Sequence, residues 1–202
     1  MNQGQAIFTV GHSTHELETF LSLLTRHNVT AVADVRSQPF SRIPHFNRDV
    51  LAAALRQRNI KYVPLGRELG ARRDEMQCYV AGQAVYERVA LLPLFREGIE
   101  RLVKGSEQFT IALMCAEKEP LDCHRTVLVC RHLRPHGFHI QHILADGGLE
   151  EHADTEKRMM RMMDITPVLF EPDVNEAGLI EEAYEARGRQ IAYRAGAEGA
   201  PE

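Results

Sequence analysis

Residues 108–125 read QFTIALMCAEKEPLDCHR, and this stretch decides the fold. Residues 108–114 are a short, nearly continuous apolar run that reads as a strand covered on both faces. The run stops at Cys115-Ala116-Glu117 and crosses a polar loop. It resumes as a helix over residues 122–134, ended by Pro135 and Gly137. A second apolar run, residues 138–144, follows. Strand, loop, helix and strand in this order form a βαβ unit with parallel strands.

The same alternation extends toward the N-terminus. Residues 6–10 are an apolar run closed by Gly11, and residues 15–27 carry Leu17, Phe20, Leu21 and Leu24 at helical spacing. Residues 30–35 and 60–64 are β-rich, with a short helix over 48–58 between them. A longer helical region over 83–104 is interrupted near Pro93. The expected class is α/β, an open, mainly parallel sheet of about five strands flanked by helices. From about Gly147 the chain becomes helical and charged, over residues 150–163 and 175–193, with a Pro-bounded stretch at 167–172. The expected organisation is an α/β domain over 1–146 and a helical extension over 147–202 packed on it, frayed after about 195. Met159, Met160, Met162 and Met163 suit packing rather than metal binding.

The chain has 202 residues, 44% of them hydrophobic and 26% charged, the balance of a globular protein. A net charge of -4 excludes a molecule that is basic as a whole, though not a local basic patch. No apolar run approaches the roughly 18 residues of a membrane span, and MNQGQAIFTVGHST does not read as a signal peptide. Cys78, Cys115, Cys123 and Cys130 form no disulfide framework, which points to a reducing, cytoplasmic setting with Cys115 and Cys123 unbridged.

Parallel α/β sheets bind ligands at the carboxyl ends of their strands, and those ends are polar here. The first strand runs into Gly11-His12-Ser13-Thr14. The second ends in Asp34-Val35-Arg36-Ser37, followed by Arg42 and Pro44-His45-Phe46-Asn47. The third leads to Arg67, Arg72 and Arg73, and the fourth to Cys115, Glu117 and Asp122-Cys123-His124-Arg125. Arginines gathered at one edge favour an anion, and N–H groups at a helix start would add to them. A thiol at a helix start beside cations is a candidate nucleophile. Nine residues separate Cys115 from Arg125, too many for the phosphate loops of cysteine phosphatases and sulfurtransferases. Cys115, Cys123, His124 and Glu117 match no zinc spacing, so no metal centre is assigned. His132, His136, His139 and His142 are not expected to cluster. No dinucleotide-binding, P-loop or nucleophile-elbow motif occurs, and no cofactor is called for.

Val10-Gly11-His12-Ser13-Thr14, Asp34-Val35-Arg36-Ser37, Pro44-His45-Phe46-Asn47, residues 65–70 and Met114-Cys115-Ala116-Glu117 with Cys123-His124-Arg125 stand in an order that resembles the domain-of-unknown-function 488 family. The resemblance covers about residues 6–145. Ala183-Tyr184, Arg187 and Ile191-Ala192-Tyr193 look like the C-terminal part of longer members. It implies the α/β fold and no particular reaction.

The leading expectation is an enzyme acting on a small anionic substrate, phosphorylated or nucleotide-like. Arg36, Arg42 and Arg125 would clamp the anion, and His12, Ser13, Ser37, Phe46 and Asn47 would line the site. Asp34, Glu117 and His124 would supply acid–base groups, and Cys115 a nucleophile. A second reading is a nucleic-acid-binding or regulatory module using the same rim, with His45, Phe46 and Asn47 against an unpaired base. A third is a metal- or redox-sensing domain using Cys115 and Cys123. Oligomeric state is not legible.

Overall fold

The computed structural model describes residues 5–165 and 176–195. In chain order the elements are β1 (Ala6–Gly11), α1 (Leu17–Arg26), β2 (Ala31–Asp34), α2 (Arg48–Gln57), β3 (Lys61–Pro64) and α3 (Gly66–Leu69). A small hairpin, β4 (Tyr79–Val80) and β5 (Gln83–Ala84), precedes α4 (Tyr86–Ala90) and α5 (Pro93–Ser106). Then come β6 (Ile111–Cys115), a π-helical segment (Arg125–Cys130) running into α6 (Arg131–Leu133), β7 (His139–Ile143), β8 (Leu149–Glu151), α7 (His152–Met162) and α8 (Glu176–Ile191).

The main sheet has six strands in the order β3-β2-β6-β1-β7-β8. All its pairings are parallel except the last, β7 with β8. Alternation along the strands divides the interior into two cores. Ile7, Ala33, Ile111, Leu113 and Cys115 face one core with Phe95 and Ile99 of α5, Val127 of the π segment and Tyr184 of α8. Phe8, Val10, Val32, Ala112 and Met114 face the other with Phe20 and Leu24 of α1 and Leu51 and Leu55 of α2. The result is an α/β fold with helices on both faces of a mostly parallel sheet.

β1 and β6 are neighbours, yet β1 feeds a helix on one face and β6 feeds the π segment on the other. Diverging connections open a crevice outside the carboxyl ends of two such strands, the usual ligand position in open α/β sheets. The two strand ends come close. His12 N–H donates to the Cys115 carbonyl at 2.8 Å, and Ser13 N–H to the Ala116 carbonyl at 2.9 Å. A Cβ on Gly11 would lie 1.9 Å from the Glu117 carbonyl oxygen, so only glycine fits.

The structure departs from the expected elements in three places. β8 adds an antiparallel sixth strand from a Leu-Glu-Glu segment placed in the extension. The region from Gln83 opens as a hairpin whose turn, Ala81-Gly82, has two positive φ angles, and helix begins only at Tyr86. The helix expected from Asp122 is instead a tight turn over Pro120–Asp122 followed by the π segment. The 167–172 stretch, residue 175 and the tail after 195 lie outside the described residues. No described helix is long and apolar enough to cross a membrane.

Candidate functional site

A cavity of about 390 Å³ lies over the β1–β6 crevice, lined by His12, Ser13, Thr14, Ser41, Arg42, Ile43, Ala116, Glu117 and Lys118. Arg42 and Lys118 are exposed and Glu117 is half-buried. The cavity therefore carries cations at its rim and a carboxyl group deeper in.

Beneath it sits a buried cluster of Cys115, Cys123, His124 and Arg125. β6 delivers Cys115, and the tight turn at Pro120 folds the loop back so that Cys123 and His124 return to the strand end. His124 Nε2 lies 3.0 Å from the Val35 carbonyl, an acceptor, so Nε2 carries the proton and donates. Nδ1 then faces both sulfurs, 3.7 Å from Cys115 Sγ and 3.9 Å from Cys123 Sγ. Cys123 Sγ and Glu117 Oε2 are 2.9 Å apart and share a proton. Burial and the adjacent Cys123 raise the Glu117 carboxyl to about 7. Burial would raise Cys123 as well, but its contacts with Cys115, Arg125 and His124 hold it well below a normal thiol. Both shifts place the shared proton on Glu117. Burial drives Cys115 well upward. His124, which burial alone would lower, is raised by Cys123, Glu117 and the Val35 carbonyl.

The arginines of the rim separate into distinct roles. Arg36 is fully buried and grips Asp34 with two parallel bonds, Nε to Oδ1 at 2.9 Å and Nη2 to Oδ2 at 2.6 Å. Tyr62 OH also donates to Asp34 Oδ2 at 2.7 Å. Arg36 Nη1 reaches His12 Nε2 at 3.2 Å. A guanidinium has no acceptor, so Nε2 accepts and His12 Nδ1 donates to the Ser13 carbonyl at 2.9 Å. Burial lowers His12 to about 4, consistent with a neutral ring. Arg125, also fully buried, donates from Nη1 to the Glu117 carbonyl at 2.7 Å and from Nη2 to the Lys118 carbonyl at 3.3 Å. These bonds shape the loop that holds Glu117. Helix-start N–H groups are used internally too: Arg125 N–H points at Cys123 Sγ and Thr126 N–H at the Cys123 carbonyl. Arg73 pairs with Glu75, and Arg72 stacks on Tyr193. With Arg67 these two line a separate cavity of about 550 Å³.

The expected site residues thus gather at the strand ends, but on two levels. Ser13, Arg42 and Glu117 reach the cavity. His12 lines it from a buried position, while Asp34, Arg36, Cys115, His124 and Arg125 form the layer below. Ser37 Oγ accepts from Arg72 N–H, and Asn47 Oδ1 accepts from Ser41 N–H. Phe46 is fully buried between His12 and Phe20 and presents no face to a ligand.

A buried polar chain, not anticipated from the sequence, leads away from Arg125. Arg125 Nε meets Thr9 Oγ1 at 3.4 Å, Thr9 meets His142 Nδ1 at 2.7 Å, and His142 Nε2 meets His152 Nδ1 at 3.0 Å. His152 Nε2 meets Tyr184 OH at 2.8 Å, and Tyr184 donates to Glu156 at 2.7 Å. Glu156 is paired with Arg134 at 2.8 Å. Its ends orient the chain. Arginine can only donate and a carboxylate can only accept, so every proton points from Arg125 toward Glu156, and both histidines are satisfied as neutral rings. Tyr184→Phe would leave the His152 N–H only the more distant Glu156 carboxylate, at 3.5 Å, and take a donor from Glu156. A loss of about 1–3 kcal/mol is expected from urea unfolding. An unchanged midpoint would contradict this orientation.

A parallel α/β sheet with a thiol–imidazole–carboxyl cluster under its switch-point crevice defines the class of the protein. The chain belongs to the family described as "Domain of unknown function DUF488", whose model matches residues 16–131. No curated protein matches the chain. No solved structure matches it.

Proposed function

We propose that this protein is a cytoplasmic enzyme acting on a small anionic substrate, phosphorylated or nucleotide-like, held in the β1–β6 crevice. One observation carries the reading: the cavity at the switch point combines two exposed cations, Arg42 and Lys118, with a carboxyl group, Glu117, anchored below them. Arg42 and Lys118 take the anion, with Ser13 beside them. Glu117 moves the proton, with His124 and the two thiols behind it. Arg36 and Arg125 position this layer rather than touch substrate, because their donors already serve Asp34, His12, Thr9 and two backbone carbonyls. Base stacking by Phe46, which the nucleic-acid reading requires, has no support from its burial.

The test is a thermal-shift screen of inorganic phosphate, nucleotides and sugar phosphates, followed by affinity measurements on variants. Arg42→Ala should weaken the best ligand by about 1.5–3 kcal/mol, the range for a hydrogen bond to a charged group, without lowering the melting temperature. Glu117→Gln should retain binding and lose turnover by roughly 10²–10⁴-fold. A ligand that binds wild type, Arg42→Ala and Lys118→Ala equally would remove the cavity from consideration.

A further inference from the structure

We propose that Cys115, Cys123 and His124 hold a thiophilic divalent cation of the zinc type, with Glu117 beside its fourth coordination position. The three ligand atoms all lie within 4.8 Å of one another. In a tetrahedral zinc site with usual bond lengths, sulfur and nitrogen ligands sit about 3.6 Å apart. The two sulfur–nitrogen separations, 3.7 and 3.9 Å, are close to that edge before any ion enters. The metal-facing nitrogen is also fixed. The opposite nitrogen, Nε2, donates to the Val35 carbonyl at 3.0 Å, the outer bond that sets tautomer and ring direction in metal-bound histidines. Nδ1 is therefore the nitrogen that faces the space between the sulfurs and would give its lone pair to a cation there.

Charge supports the same occupant. Two thiolates and a neutral imidazole balance a divalent cation, so the loaded site is neutral apart from the groups around it. This suits a place where all three side chains are buried. Soft sulfur ligands with one imidazole select zinc or ferrous iron over magnesium or calcium. Three protein ligands leave one position open, as in catalytic rather than structural zinc sites. Glu117 Oε2, 2.9 Å from Cys123 Sγ, stands next to that position, and Glu117 also lines the cavity above. On loading the cation enters, the Cys115 thiol proton and the proton that Cys123 shares with Glu117 leave to solvent, and no oxidant or reductant is needed. Sequence spacing does not reveal the site, because Cys115 and the Cys123-His124 pair are brought together only by the folded loop.

The inference rests on this cluster alone and not on whether the cavity binds an anion. The full chain, stripped of metal and fully reduced as checked by thiol titration, is titrated with Co²⁺ alone. One equivalent should produce a sulfur-to-cobalt charge-transfer band and tetrahedral d–d bands, and one equivalent of Zn²⁺ should erase them. Cys115→Ser and Cys123→Ser should each weaken binding by more than about 100-fold, beyond the loss typical of an outer-shell partner. Cys78→Ala should bind as wild type. Circular dichroism verifies that each variant is folded. If a serine variant does not fold, His124→Gln replaces it, with the same loss expected. Absence of the charge-transfer band in reduced wild type, or an undiminished band in a folded ligand variant, overturns the assignment. Failure of the anion screen would leave both results unaffected.

Discussion

Arg36→Ala is expected to lose about 3–5 kcal/mol of stability, the cost of leaving a buried ion pair half-made. The guanidinium and the Asp34 carboxylate are both essentially inaccessible, at 0% and 1% side-chain exposure. Removing the arginine strands a charge that retains only the Tyr62 hydroxyl and the Arg36 N–H. Stability rather than activity is the decisive readout, because the prediction assigns Arg36 to architecture. Arg36→Lys should fall between wild type and alanine, since an ammonium cannot reproduce two parallel bonds to the carboxylate and a third to His12. The double variant Asp34→Ala/Arg36→Ala should be less damaged than Arg36→Ala, because the orphaned charge is gone. Urea unfolding of wild type, Arg36→Ala, Asp34→Ala and the double variant gives the cycle. An Arg36→Ala variant within about 1 kcal/mol of wild type, well short of the cost of an uncompensated charge, would disprove this account.

The second large effect is acid sensitivity. Burial lowers His152 to about 3 and His12 to about 4, and drives His142 well below its usual value. Each stays neutral in the fold while its unfolded counterpart takes a proton below about 6.5. The unfolded state then binds more protons, so stability is full above about 6.5 and declines as pH falls toward the folded values. At about 1.4 kcal/mol per pH unit, His12 and His152 each cost about 2 kcal/mol by pH 5, and His142 acts in the same direction. Glu117 and Cys123 largely offset each other: the raised carboxyl gains a proton on folding, and the lowered thiol that shares it gives one up, so the pair adds little to the slope. The net expectation between pH 7 and pH 5 is a loss of stability, carried by the buried rings. Urea midpoints at the two pH values check the sum. Imidazole nitrogen chemical shifts at pH 5 check the origin, since the His142 and His152 rings should still be neutral. Stability that holds level or rises on acidification would refute the assignment of buried neutral rings.

The central strands were legible because their apolar runs are continuous, as in Ile111–Cys115. β8 was not, since Leu-Glu-Glu carries no apolar pattern and becomes a strand only through pairing with β7. The candidate site was legible in position, because Gly11, Asp34 and Cys115 stand at neighbouring strand ends. Its layering was hidden. A sequence displays the charge of Arg125 but not that two backbone carbonyls and a threonine will absorb its hydrogen bonds. His142 and His152 are equally silent in sequence. They meet because β7 and β8 turn back on each other and α7 starts where β8 ends.

The segment the family model recognises does not coincide with a structure that can stand by itself. Residues 16–131 contain β2, β3 and β6 but omit β1, which lies between β6 and β7 in the middle of the sheet. They also omit His142, His152, Glu156 and Tyr184, which lead the polar chain from Arg125 to its far end. Excised at its recognisable borders, the segment would leave the β6 backbone edge on the β1 side unpaired and lose the wall of the crevice that Ser13 and Thr14 provide. What is inherited as a signature is therefore smaller than what must be inherited to fold. Any transplant of this site into another protein has to carry the strand before the signature and the helices after it.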